Sequence, residues 1–241
     1  MLELDGLRIE QGGFRLRADL VVESGARVAV LGPSGGGKST LLGALAGFVA
    51  LSAGQIRWQG VRIDTLPPAA RPLSILFQDN NLLPHLSAFD NVALGLSPAL
   101  RLDRAQRASV QAALERVGLG AQAAQRPAQL SGGQMSRAAL ARVLLRARPL
   151  LLLDEPFAAL GPALKADMLD LVGELAAEQG VTVLMVSHDP ADARRLCPLT
   201  LLVAEGQAHQ PAPTEELLAA PPAALAAYLG TPRPTTPQPR S

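Results

Sequence analysis

The chain has 241 residues, with 22 Lys plus Arg against 21 Asp plus Glu and a formal net charge of +1. Balanced charge leaves no electrostatic footprint for nucleic acid, and no uncharged apolar run approaches the ~20 residues that span a bilayer. One cysteine, Cys197, excludes an internal disulfide and fits a reducing compartment, while the length suits one large α/β domain burying about 70–75% of its unfolded surface.

The first residues, Met1-Leu2-Glu3-Leu4-Asp5, lack the basic and apolar regions of a secretory signal, so the chain is expected in the cytoplasm. Apolar and polar side chains then alternate through Leu2, Leu4 and Leu7, and again through Phe14, Leu16, Ala18, Leu20 and Val22, which predicts short antiparallel strands. Glu23-Ser24-Gly25 forms a turn into an apolar strand over residues 27–31.

That strand feeds Gly32-Pro33-Ser34-Gly35-Gly36-Gly37-Lys38-Ser39, a complete G-x-x-x-x-G-K-S/T phosphate-binding loop, and Thr40 continues into a helix reaching Ala46. Glycines without Cβ let successive N–H groups point inward as an anion nest, and the helix start adds its positive dipole end. Lys38 is expected to reach the β- and γ-phosphates of ATP, and the Ser39 hydroxyl to coordinate Mg²⁺.

Two short strands at residues 55–58 and 61–63 follow, punctuated by Gly54 and Gly60, and residues 65–68 close this β region. Another apolar strand at 74–77 runs into Gln78-Asp79-Asn80-Asn81. From about 84 to 148 the spacing of Leu86, Val92, Leu94, Leu114 and Val117 is helical, with Gly118 as a stop, so we read a helical subdomain inserted into a parallel-sheet core. Within it, Ser131 and Gln134 have capping-box spacing at a helix start, and Gly132 and Gly133 leave bare N–H groups there, a second phosphate-binding surface in one chain.

Residues 150–153 and 181–186 are fully apolar strands of the kind buried on both faces of a parallel sheet, separated by a helix over 163–179 that ends at Gly180. Asp154 and Glu155 follow the first of these. At the carboxyl end of a buried parallel strand, Asp154 is placed to hold Mg²⁺ and Glu155 to take a proton from the water attacking the γ-phosphate. A further strand at 199–203, a turn at Gly206 and one or two helices over 214–229 complete the domain, residues 1–230, before a Pro- and Thr-rich tail at 231–241 that is expected to be disordered.

The phosphate loop, Gln78 after a strand, Leu130-Ser131-Gly132-Gly133-Gln134, the run 150–155 and Ser187-His188-Asp189 occur in the order of the ATP-binding cassette family, which this chain resembles over residues 1 to about 230. The resemblance implies a P-loop NTPase of that type: an α/β domain with a mostly parallel core, an antiparallel N-terminal subdomain and the inserted helices. It implies that Gln78 contacts Mg²⁺ and the attacking water and senses a membrane partner, and that His188 hydrogen-bonds the γ-phosphate. It also implies that Ser131, Gly132 and Gly133 bind ATP across a head-to-tail dimer of two copies.

Within the family, residues 65–72, 76–86 and 184–188 resemble the ATPase subunits of bacterial thiamine importers. That likeness implies transmembrane permease subunits as direct partners, a periplasmic solute-binding protein as an indirect one, and a peripheral place on the cytoplasmic face of the inner membrane. The implied solute is thiamine, together with its phosphate esters, and ferric iron, polyamine and sulfate are the alternatives. A soluble cassette protein would carry long coiled-coil insertions or two cassettes, and a small-molecule kinase would have no use for the 130–134 stretch.

Three positions depart from the family pattern. Gln11 stands where an aromatic residue usually stacks on adenine, leaving Phe14 as the substitute; Gly161 stands where Asp is common; and Met135-Ser136-Arg137 replaces a more basic run.

Overall fold

Alternating burial builds the N-terminal lobe. In β1 (Leu2–Gln11) the side chains of Leu2, Leu4, Leu7 and Ile9 are buried, and in β2 (Phe14–Val22) those of Leu16, Ala18, Leu20 and Val22. The step of three between Leu4 and Leu7 is a β-bulge, where the register of β1 shifts against both its neighbours. The computed structural model describes residues 1–79 and 81–230, so Asn80 and the tail at 231–241 lie outside the described residues.

On the far side of β1 lie β4 (Ala53–Trp58) and β5 (Val61–Arg62), both antiparallel. The parallel core consists of β3 (Arg27–Leu31), β6 (Leu73–Leu76), β7 (Leu150–Asp154), β8 (Thr182–Val186) and β9 (Leu199–Ala204), in the spatial order β9, β3, β8, β7, β6. The two-residue β10 (Gln207–Ala208) pairs with β2 and β9, joining the lobes into one continuous sheet, and β11 (Ala212–Pro213) lies beside the first residues of β9, on the edge away from β3. Because the five core strands are parallel, their carboxyl ends share one edge, and the segments after β3, β8, β7 and β6 stand there side by side.

Helices cover this sheet in layers. The helix α1 (Lys38–Ala46) buries Leu41, Leu42 and Leu45 with the N-terminal lobe and one sheet face. The helical stretch resolves into α2 (Ala88–Ala93), α3 (Arg104–Arg116) and α4 (Gly132–Leu145), joined by irregular chain and short 3₁₀ turns. In α4, Ala138 and Ala141 pack with α2 and α3, whereas Ala139, Leu140 and Val143 pack against β6 and β7, so this helix belongs to both layers. The opposite sheet face is completed by α5 (Pro162–Gln179), α6 (Pro190–Leu196) and α8 (Ala223–Leu229), with α7 (Thr214–Ala219) between the last two. The expected boundaries of the core strands, of β4 and β5 and of α5 hold within two residues, whereas β1 and β2, expected as short strands, run to 10 and 9 residues, and α6, β10 and β11 are too short for periodicity to reveal.

Candidate functional site

Four parallel strands, β3, β6, β7 and β8, deliver the candidate residues to one edge. At the end of β3, Gly37 has a φ of 105° and a Cβ there would lie 2.6 Å from Cζ of Phe14, so only glycine fits as the chain turns into α1. The Lys38 side chain is buried, only 8% of the residue being exposed, and its Nζ donates to the carbonyls of Gly32 at 2.8 Å and Pro33 at 3.1 Å. Burial lowers its pKa, while the negative charges of Glu155 and Asp154 work to raise it.

Ser39, one residue into α1, donates its hydroxyl to Oδ1 of Asp154 at 3.0 Å. Burial pushes the Asp154 carboxyl above its ordinary range; the Ser39 bond and Lys38 oppose that, and Glu155 adds to it. Hydroxyl and carboxylate oxygens at this separation are the donor set of a hard divalent cation. Among the described residues no group of three or more His, Cys, Asp or Glu side chains could hold a metal alone, so the remaining ligands would come from nucleotide oxygens and water.

Glu155 follows β7 in a left-handed conformation with φ 47°, uncommon for a residue with a side chain and typical of functional turns. Its backbone N–H donates to the carbonyl of Val186, at the end of β8, at 3.2 Å. This tie brings the Glu155 side chain beside the residue that follows β8, and Nδ1 of His188 lies 3.3 Å from Oε2 of Glu155. Gln78 comes two residues after β6, the parallel neighbour of β7, with its side chain exposed at the same sheet edge.

The tip of α4 is a separate surface. Gln134 N–H donates to the Ser131 hydroxyl at 3.3 Å and Ser131 N–H to Oε1 of Gln134 at 2.9 Å, the reciprocal capping box expected from their spacing. A Cβ on Gly133 would lie 2.3 Å from Cδ2 of Leu164 in α5, whereas around Gly132 nothing lies within 4 Å. Gly133 is therefore a packing glycine, and Gly132 leaves bare backbone facing outward. The structure thus gathers Lys38, Ser39, Asp154, Glu155 and His188 into one chamber, and presents Ser131–Gln134 on its own exposed helix end.

Sequence reasoning did not find everything around this chamber. Lys165 of α5 bonds Asp189 at 2.6 Å and Asp192 at 2.7 Å, and the Ser187 hydroxyl donates to Asp192 at 2.7 Å, so both flanks of His188 are fixed. Phe14 pairs directly with Gln11 across the β1–β2 turn and lies on the Gly37 side of it, which places an aromatic ring against the phosphate loop despite the polar residue at 11. Gly161 offers α5 no side-chain cap. The local signal for Lys165 was faint, one lysine in a helix, whereas Phe14 was already marked as the substitute for the aromatic absent at Gln11.

The sequence matches the family described as ABC transporter over residues 17–158. It is 62% identical over 230 residues to the thiamine import ATP-binding protein ThiQ of Cereibacter sphaeroides, covering 95% of this chain and all of that relative. It is 56% identical to the protein of the same name from Ruegeria sp., again over 95% of this chain and all of the relative. A solved ATP-binding cassette, a dimer in a post-hydrolysis state bound to ADP and Pi, superposes with a TM-score of 0.77 at 28% identity, over 89% of this chain and 99% of that one.

Proposed function

Because this chain belongs to the ABC transporter family, we propose that it is the ATP-hydrolysing subunit of a bacterial importer, energising uptake of thiamine through membrane permease subunits. The observation that carries this is the meeting of Lys38, Ser39, Asp154, Glu155 and His188 at one sheet edge, joined to the thiamine-import names of relatives that align over nearly the whole chain. The protein binds ATP and couples its hydrolysis to transport. Residues 1–230 act as one ATPase domain, with the helical subdomain at about 84–148 set into it; the apolar cluster that α2, α3 and α4 form among themselves supports that division.

In this reading residues 32–40 hold the triphosphate through their backbone N–H groups, which all but Pro33 possess, and through the Lys38 ammonium. Ser39, Asp154 and Gln78 would hold Mg²⁺, which supplies charge neutralisation on the β- and γ-phosphate oxygens. A water attacks the γ-phosphorus, its proton passes to the Glu155 carboxylate, and the bond to the bridging oxygen of ADP breaks. His188 donates to a γ-phosphate oxygen from beside Glu155, and Phe14 takes the adenine contact that Gln11 lacks.

A second copy completes each chamber. The outward N–H groups at Gly132 and the capped Ser131–Gln134 turn suit a triphosphate held on the partner's phosphate loop, and the dimeric state of the solved relative supports a head-to-tail pair. Exposed Phe48, its ring centroid 6.0 Å from that of Phe77 next to Gln78, and exposed Leu83, five residues after Gln78, suit a permease contact. No helix among the described residues is long and apolar enough to cross a membrane, which agrees with a peripheral place on the cytoplasmic face, the solute-binding protein acting from the periplasm.

The test is reconstitution with the permease and solute-binding protein of a thiamine importer from the same organism. Thiamine should stimulate phosphate release, Lys38→Ala should abolish it, and Gly132→Arg should leave a folded protein that no longer dimerises on ATP in sedimentation. Stimulation by ferric iron, a polyamine or sulfate in place of thiamine would overturn the solute assignment. Full activity of Gly132→Arg would overturn the head-to-tail pair.

A further inference from the structure

Tyr228 is the single tyrosine of the chain. It projects from α8, whose Leu225 is buried with β9 in the apolar layer over the parallel sheet. Its hydroxyl donates to the main-chain carbonyl of His188 at 2.7 Å. The Nζ of Lys38 lies over its ring, 6.0 Å from the centroid. One side chain from the C-terminal helix therefore meets both the residue beside Glu155 and the lysine of the phosphate loop.

His188 needs such a support. It lies beyond Val186, the last ladder residue of β8, so no neighbouring strand fixes its peptide. Ser187 and Asp189 are anchored to α5 and α6 through Asp192 and Lys165; in the peptide between His188 and Asp189 the N–H donates to the Ser187 hydroxyl at 3.0 Å, and the Tyr228 hydroxyl fixes the carbonyl. Without the carbonyl bond the backbone at His188 loses one of its two ties and is free to shift, and a shift of its Cα carries the imidazole away from Glu155, 3.3 Å distant. The donor is available at neutral pH, because burial, followed by the negative charges of Glu155 and Asp189, pushes the phenol up.

We propose that Tyr228 is a positioning residue for ATP hydrolysis, its hydroxyl holding the His188 peptide so that the imidazole faces Glu155 and its ring closing the chamber over Lys38. The inference rests on the ATPase reading above and extends it to a helix that the phosphate-site motifs do not include. The C-terminal helix thereby becomes part of the catalytic wall.

Tyr228→Phe keeps the ring and removes the bond. In the reconstituted importer it should lower kcat about fivefold, the effect of losing one neutral hydrogen bond of about 1 kcal/mol, with KM for ATP unchanged. Tyr228→Leu, which also removes the ring over Lys38, should raise KM as well. A single tyrosine permits a second readout: 3-fluorotyrosine incorporated into the unsubstituted chain gives one fluorine line, which should shift when Mg²⁺ and a non-hydrolysable ATP analogue are added.

Wild-type kcat in Tyr228→Phe would overturn the proposal, and so would a fluorine line that saturating nucleotide leaves in place. Lys38→Ala run in parallel separates the two levels. If it is as active as the wild type, the ATPase site itself is wrongly placed; if it is inactive while Tyr228→Phe is normal, only the role of Tyr228 falls.

Discussion

Replacing Glu155 with Gln removes one negative charge and one proton acceptor while leaving shape almost unchanged. The left-handed backbone at 155, φ 47°, costs a residue with a Cβ roughly 1–2 kcal/mol, but Glu and Gln incur it alike. The N–H bond to Val186 is main-chain and survives. Stability should therefore be unaltered. The charge lost is one that helps raise both Asp154 and Lys38, so in the variant the Asp154 carboxyl ionises more readily and metal and nucleotide binding are retained or tightened. The rate is another matter, since a general base contributes about 10²–10⁴ in rate, or roughly 3–5 kcal/mol of barrier. Phosphate release by the reconstituted complex should fall by that factor, while equilibrium binding of a fluorescent ATP analogue is preserved and ATP-dependent dimers persist in sedimentation. A variant hydrolysing ATP within about tenfold of the wild type, below the usual contribution of a base, would refute Glu155 as the proton acceptor.

Three further outcomes follow from the same geometry. Phe14→Ala removes the ring against Gly37 and should raise KM for ATP by about tenfold, the order of one base–aromatic stack, with kcat little changed in steady-state assays. Lys165→Met leaves Asp189 and Asp192 without their shared cation and should destabilise the fold by about 1–2 kcal/mol, charge-assisted bonds discounted for partial exposure. The Lys165 hydrogen bond, against the opposing effect of burial, holds Asp189 below the usual carboxylate range; burial works to lower Lys165, but its bonds to the two carboxylates outweigh it and raise it. Stability from a depressed carboxyl is present above its unfolded pKa of about 3.9 and is lost as pH falls through the folded value, and stability from a raised lysine persists below about 10.4 and is lost as pH rises through its folded value. The Tm difference between wild type and Lys165→Met should accordingly be level near neutrality and shrink below about pH 4. Cys197 is buried and its thiol is pushed up to about 12 by burial, so a thiol reagent at pH 8 should label it only after denaturant is added.

Much of this molecule is written in short-range pattern. The phosphate loop, the capping box of Ser131 and Gln134, and the fully apolar strands that place Asp154 and Glu155 at a carboxyl edge involve residues a few positions apart, or a periodicity that one segment carries by itself. Even the bulge in β1 is present as the uneven spacing of Leu2, Leu4 and Leu7. What local pattern does not hold is which segments become neighbours. The two-residue bridge of β10 between lobes, the Lys165 contacts with Asp189 and Asp192, the ring of Phe14 against Gly37 and the reach of Tyr228 to His188 join positions from 23 to 40 apart in three of these cases. Such contacts exist only once strand order has been set, and strand order is chosen by the burial of all the apolar faces together. A sequence window therefore states the chemistry of each piece, while the packed sheet and its helices decide which pieces share a chamber.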